Sequence, residues 1–100
     1  MSELNKLIHE QTKMKIMSYL AVCKDNKESF PVIKNSLNLT AGNLSVQLTT
    51  LEKAGYVTLL KQFVGKKPNT EVTLTALGRT ELENYINDLE AILKTLKEKI

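Results

Sequence analysis

A chain of 100 residues, 42% hydrophobic and 25% charged, has the make-up of one globular domain with a single modest core, spanning residues 1–100. No apolar run approaches the ~20 residues needed to cross a bilayer, so no membrane-spanning helix is expected. Cys23 is the sole cysteine, so an intrachain disulfide and a multi-cysteine metal site are excluded too. The net charge of +3 is unevenly placed: residues 1–70 carry ten Lys against five acids, and residues 71–100 carry four basic residues against six acids. A basic body with a mildly acidic tail suits a polyanion-binding face plus a segment with another task. Residues 1–10 hold no stretch of the signal-peptide kind, and a cytoplasmic location is expected.

Apolar residues begin with Leu4, Leu7 and Ile8, and from Thr12 the spacing becomes helical, with Ile16, Leu20 and Cys23 on one stripe and Met17 beside it. The polar run Lys24–Glu28 ends that helix. Ser29 is a candidate N-cap and Pro31 fits the first turn of a second, short helix carrying Phe30, Ile33 and Leu37 and ending near Asn38. Thr40 caps a third helix, Ala41 to Lys53, which Gly55 stops. Two short helices joined by so tight a turn predict a helix-turn-helix over residues 29–54.

After Gly55 the period falls to about two. Tyr56 to Val64 reads as a strand, Gly65–Asn69 as a turn and Thr70 to Leu74 as the returning strand, a hairpin over 56–74 with a basic tip. Thr75 caps a last helix from Ala76 to about Glu98. The predicted fold is α+β and mostly helical: a winged helix-turn-helix of three helices and a β-hairpin wing, with a C-terminal dimerisation helix over 76–98.

On the third helix, at ~100° per residue, Leu44, Leu48 and Leu51 fall on one side and must face the core. The opposite side centres on Val46 with Gly42, Asn43, Thr49, Thr50 and Lys53 around it, and Ser45 and Gln47 on the flanks. Short polar side chains with no acid until Glu52 suit the major groove. Asn and Gln can pair bidentately with adenine, Ser and Thr can reach bases or phosphates, and Val46 can touch a thymine methyl. Gly42 and the free N–H groups of the first turn can approach a phosphate. Lys61, Lys66 and Lys67 at the hairpin would add phosphate or minor-groove contacts, which give affinity more than discrimination. The bland alternatives are a polar surface helix and a hairpin kept soluble by lysine.

The last helix carries Leu82, Tyr85, Ile86, Leu89, Ile92, Leu93, Leu96 and Ile100 at heptad-like spacing. So small a domain has little to cover such a stripe, so a second copy is expected to do so, with help from residues 1–10; folding back on the first helix is the alternative.

The runs Asn38–Ser45, Leu48, Leu51–Val57, Phe63–Pro68 and Leu74–Arg79 resemble the small winged-helix transcriptional regulators of bacteria and archaea, related to the MarR and ArsR types. The resemblance spans roughly residues 7–90 and is most specific from Asn43 to Arg79. It implies a homodimeric repressor or activator with the third helix in the major groove. By position, Asn43, Ser45, Val46, Gln47, Thr49 and Thr50 would read DNA, with Lys66, Lys67 and Thr70 on the wing. Members often carry Arg or His where Val46 and Gln47 stand, which implies weak binding or an A·T-rich site. Arg79 matches the family's Gly-Arg pair and is expected to brace the wing. The clustered Cys and His of ArsR-type metal sensors are missing here. Cys23 on its apolar stripe is expected to be a buried structural thiol, a single-cysteine redox switch being the remote alternative, and His9 a surface or first-turn residue.

The expected function is therefore sequence-specific binding of a pseudo-palindromic double-stranded DNA by a homodimeric regulator, a repressor first. The third helix (41–53) would enter the major groove and the wing (61–70) would lie on backbone or minor groove. A protein–protein adaptor and a non-specific DNA-binding module are the alternatives. No cofactor or metal is called for, and an unidentified apolar effector could lodge between wing, first helix and dimer helix. A lone His, a lone Cys and scattered carboxylates offer no catalytic set, so no enzymatic activity is expected.

Overall fold

The computed structural model describes residues 4–100; the first three residues of the expected N-terminal contribution to dimerisation lie outside them. The chain opens with a short helix, α1 (Lys6–His9), whose first turn is capped by the Asn5 side-chain oxygen, which accepts from Leu7 N at 3.0 Å and Ile8 N at 3.1 Å. Glu10 is extended, which separates α1 from α2 (Gln11–Val22). Ile16, Met17 and Leu20 are buried along α2, as their spacing requires, and Lys13 buries its stem on the same face while its ammonium pairs with Glu10. The end of α2 is closed by Asn26, whose amide donates to the carbonyls of Leu20 at 3.3 Å and Ala21 at 3.1 Å.

The segment read as a plain helix terminator, Lys24–Glu28, holds more structure than that. Asp25 and Asn26 (φ +58° and +56°) turn the chain through the left-handed region, and β1 (Lys27–Ser29) follows. It pairs antiparallel with a strand more than forty residues away, Lys27 opposite Thr73 and Ser29 opposite Glu71. Three residues with no alternation give no local sign of such a partner. Because Ser29 ends β1, its hydroxyl does not cap the next helix; its N–H donates to the Glu28 carboxylate at 2.8 Å instead.

The next two helices, α3 (Phe30–Ser36) and α4 (Ala41–Lys53), end in the same way. After α3, Asn38 takes φ +55°, its N–H donates to Asn35 O and the N–H of Leu39 donates to Lys34 O at 2.9 Å. After α4, Gly55 takes φ +83°, its N–H donates to Glu52 O and that of Tyr56 to Leu51 O at 3.0 Å. Both are Schellman motifs, which satisfy the last carbonyls and reverse the chain within two residues. The Thr40 hydroxyl accepts from Asn43 N at 3.0 Å, as expected of an N-cap. Leu44, Leu48 and Leu51 are fully buried, each removal from water worth roughly 1.5–3 kcal/mol.

The hairpin consists of β2 (Val57–Val64) and β3 (Lys67–Leu74). Its turn is tighter than expected. Val64 pairs with Lys67 and Phe63 with Pro68, so residues 67–69 belong to the strand and only Gly65–Lys66 turn. Gly65 at φ +68° stands at the first central position, where a type II′ hairpin takes glycine. Pro68 reads as a turn residue in sequence, yet it is tolerated in β3 because β1 covers only residues 71–73 and leaves that side of β3 unpaired. The sheet order is β1-β3-β2.

The last helix, α5 (Ala76–Lys99), is capped by Thr75, whose hydroxyl accepts from Gly78 N at 2.9 Å. Its first half packs on α1 and α2 through Leu82 and Tyr85, both only 3% exposed. Its second half leaves the body, which accounts for extents of 58 × 25 × 23 Å. Leu93 and Leu96, on the same stripe, are 47% and 50% exposed.

Candidate nucleic-acid interface

The buried leucines of α4 turn its other side outward. Gly42, Asn43, Ser45, Val46, Thr49 and Lys53 are exposed, and Thr50 and Gln47 are half-buried. Val46 is 64% exposed at the centre of that face. Asn43 and Gln47, one turn apart, are held together: Gln47 Nε2 donates to Asn43 Oδ1 at 3.1 Å. The Gln47 carbonyl oxygen is shut off from solvent with no donor among the described residues, so Gln47 is a flank residue whose amide must turn before it can meet a base edge. Thr49 and Thr50 donate to the carbonyls of Ser45 at 2.9 Å and Val46 at 3.3 Å, which leaves their hydroxyl oxygens able to accept.

The hairpin stands beside this face. Ser45 and Thr49 of α4 share a groove of about 180 Å³ with Lys61 and Thr70 of the hairpin, floored by Leu48, Leu59 and Phe30. Two groups of residues assigned separately in the sequence thus become walls of one concave surface. Phe30 was not assigned to it; its helical spacing gave only a core role. Lys66 and Lys67 are exposed at the tip, and none of Lys53, Lys61, Lys66 and Lys67 is in an ion pair among the described residues. Unpaired lysines around a face whose helix has no acid before Glu52 make that side electropositive.

Arg79 does not brace the hairpin. Its guanidinium donates to Ala21 O at 3.4 Å, at the end of α2, and lies 3.5 Å from Glu83 one turn along α5. It stabilises a helix terminus, where a cation is favoured. Nor is Cys23 fully buried: it is partly exposed at the C-cap of α2. Burial, then the Glu28 carboxylate, pushes its thiol up, against a smaller opposite effect of a hydrogen bond with Tyr19. His9 ends α1 at the surface with Nδ1 2.8 Å from the Tyr85 hydroxyl. Among the described residues no three His, Cys, Asp or Glu side chains converge on a metal site, and no helix is long and apolar enough to cross a membrane.

Of the stripe expected to meet a second copy, Leu82 and Tyr85 belong instead to the chain's own core, because α5 crosses α2 there. Leu89 and Ile92 are half-buried, and Ile86, Leu93 and Leu96 are exposed. The fold-back alternative therefore accounts for the first half of the helix and not for the second.

Four helices, the last two forming a helix-turn-helix, a three-stranded sheet ending in a basic hairpin, and a long terminal helix make a winged-helix DNA-binding domain. The chain belongs to the winged helix DNA-binding domain family, whose model matches residues 12–93. It is 30% identical over 95 residues to an uncharacterized protein of Methanocaldococcus jannaschii, covering 92% of this chain and 98% of that one. A transcriptional regulator homologue from Pyrococcus horikoshii has a similar structure, with a TM-score of 0.82 and 29% identity over 90% of this chain and 87% of that chain. A protein assigned to the MarR family of transcriptional regulators in Enterococcus faecalis shares the fold, with a TM-score of 0.71 and 24% identity, covering 93% of this chain and 81% of that chain.

Proposed function

We propose that this chain acts in the cytoplasm as a homodimeric, sequence-specific DNA-binding repressor, with α4 as recognition helix in the major groove and the hairpin as wing on the flanking backbone and minor groove. The observation that carries this reading is the shared groove, in which Ser45 and Thr49 of the helix face Lys61 and Thr70 of the wing. A helix lying in the major groove would have its wing over the adjoining phosphates. Asn43, Val46, Gln47, Thr49 and Thr50 then supply base contacts, while Gly42, Ser45, Lys53, Lys61, Lys66, Lys67 and Thr70 supply backbone contacts.

The second copy covers Ile86, Leu89, Ile92, Leu93 and Leu96. Leu93 is surrounded by Glu90, Lys94, Lys97 and Glu98, charges of both signs that a two-fold-related copy can pair reciprocally. Two recognition helices then meet half-sites about one helical turn apart. Selection of duplexes from a random pool at about 0.15 M salt tests the reading. A two-fold motif supports it, retention without a motif turns it into a non-specific binder, and no retention replaces it with the adaptor reading.

A further inference from the structure

The wing of this chain carries an apolar pair where its basic residues cluster. Phe63 is 74% exposed and stands directly opposite Pro68, one pair inward from the Gly65–Lys66 turn. Alternation along a strand settles which way it faces. Val57 and Leu59 of β2 lie with their partners Leu74 and Val72 on the face that covers the core; Lys61 with Thr70, then Phe63 with Pro68, continue that face outward. Lys61 and Thr70 line the groove shared with α4. Phe63 therefore stands on the side of the wing turned towards the recognition helix, beyond Lys61 and one pair from the Gly65–Lys66 turn, while Lys67, paired with Val64, lies on the other face. Val64, also exposed, lies on the opposite face.

An exposed aromatic ring beside Lys61 at the end of a basic hairpin fits a polyanion that also offers an apolar cleft. A duplex does so in its minor groove, between the sugar walls, and apolar side chains inserted there open a base step and kink the helix. A lysine-rich rim would repel cationic surfaces and gain little from a neutral one. Pro68 stiffens the strand beneath the ring, and the two-residue turn keeps the tip narrow.

We propose that Phe63, backed by Pro68, is an apolar wedge that enters the minor groove flanking the base-read major groove, so that the protein selects a flexible pyrimidine–purine step there by its deformability. The proposal rests on the DNA-binding reading above. It assigns to the wing a specificity role that the lysines alone, which touch only phosphates, do not supply.

The test uses the full chain and the duplex recovered by selection, with 2-aminopurine placed at each flanking step in turn. Wild type is expected to raise the 2-aminopurine fluorescence at one flanking position on each side, through unstacking. Phe63→Ala is expected to abolish that rise and weaken binding about tenfold, towards the lower end of what a base–aromatic contact contributes. Its salt dependence should stay unchanged, because no phosphate contact is lost. Val64→Ala, on the other face, should leave both fluorescence and affinity unchanged, and Lys66→Ala should flatten the salt slope by about one while keeping the fluorescence rise. Replacing the flexible step by a stiff A-tract should penalise wild type and not Phe63→Ala. Unchanged fluorescence and unchanged flank preference in Phe63→Ala would overturn the wedge while leaving the DNA-binding reading intact. Weaker binding without any fluorescence change in wild type would also overturn it, since the ring would then only rest on the groove wall. Failure of wild type to bind any duplex would overturn both, and binding of an acidic peptide at Phe63 would then point to a protein partner.

Discussion

Thr75 Oγ1 donates to the carbonyl oxygen of Gly55 across 2.6 Å while accepting from Gly78 N at 2.9 Å. Gly55 follows the last turn of α4 and Gly78 lies in the first turn of α5, so one hydroxyl ties the two helices together. The backbone reinforces the tie, because Thr75 N donates to Tyr56 O at 3.0 Å. Thr75→Val keeps the shape and removes both hydroxyl bonds. It is expected to lower stability by about 1–2 kcal/mol, the usual value of a lost N-cap, in urea titrations, with Thr75→Ser near wild type. Equal stability of the valine variant would show that the tie contributes nothing.

Two glycines that look alike in sequence are expected to respond oppositely to alanine. A Cβ at Gly78 would lie 2.3 Å from Tyr56 O and 2.9 Å from Leu74 Cδ1, so the start of α5 must back away from Tyr56 and the end of β3. Gly78→Ala is expected to cost about 1–3 kcal/mol or more in thermal unfolding. At Gly42 a Cβ meets nothing within 4 Å. Gly42→Ala is expected to raise stability by about 0.5 kcal/mol through helix propensity, yet to weaken operator binding, because the methyl stands where a phosphate approaches the first turn of α4. Gain in stability with unchanged DNA affinity would remove Gly42 from the interface.

The contrast between these glycines shows what is legible in a sequence. Helices with local signals could be read directly: Thr40 and Thr75 at their caps, Gly55 past an end, leucines at three and four. Features made by distant pairing could not. Nothing in Lys27–Ser29 announces β3, and the assignment of Pro68 to a turn follows from composition until one sees that β1 stops short of it. The close approach at Gly78 depends on Tyr56, twenty-two residues away. The groove joining Ser45 to Lys61 needed the hairpin's face to be known, and that follows from register rather than residue type. Arg79 and Cys23 were misplaced for a similar reason, since both depend on how the end of α2 is packed.

The Asn43–Gln47 pair is expected to discriminate between bases rather than to hold the backbone. Asn43→Ala frees the Gln47 amide and removes one bidentate partner of adenine, and should cost about 1–3 kcal/mol at one base pair of the half-site. Competition titrations with single-substituted duplexes measure this. The affinity loss should be confined to the preferred base, with the salt slope unaltered; a uniform loss over all duplexes would make Asn43 a backbone contact.

Cys23 is expected to react slowly. With its thiol pushed above its ordinary value, chiefly by desolvation and next by Glu28, the thiolate fraction at neutral pH is below that of an ordinary cysteine. Modification by a disulfide reagent at pH 7 should be slower in the native chain than in urea, and should speed up as pH rises towards the raised value. Reaction in the native chain faster than in urea would revive a redox role.

The outer half of α5 is where quaternary structure can be separated from folding. Leu93 and Leu96 are half-exposed, so replacing both by Lys removes no packing from the domain. In a dimer they would be covered, and two lysines per copy would have to be desolvated opposite each other. Leu93→Lys with Leu96→Lys is therefore expected to convert the chain to monomers in sedimentation velocity at micromolar concentration. The near-ultraviolet spectrum of Tyr19, Tyr56 and Tyr85 should stay unchanged, while helicity falls slightly, because the last turns of α5 would lose the second copy expected to cover them. Operator binding should fall to that of a half-site, with the two-fold preference gone. Leu82→Lys makes the contrasting control: Leu82 is 3% exposed, and its replacement should unfold the domain rather than split a dimer. A wild-type chain that is already monomeric at these concentrations would leave the stripe without a second copy and would shift the burden of site recognition to one α4 and its wing.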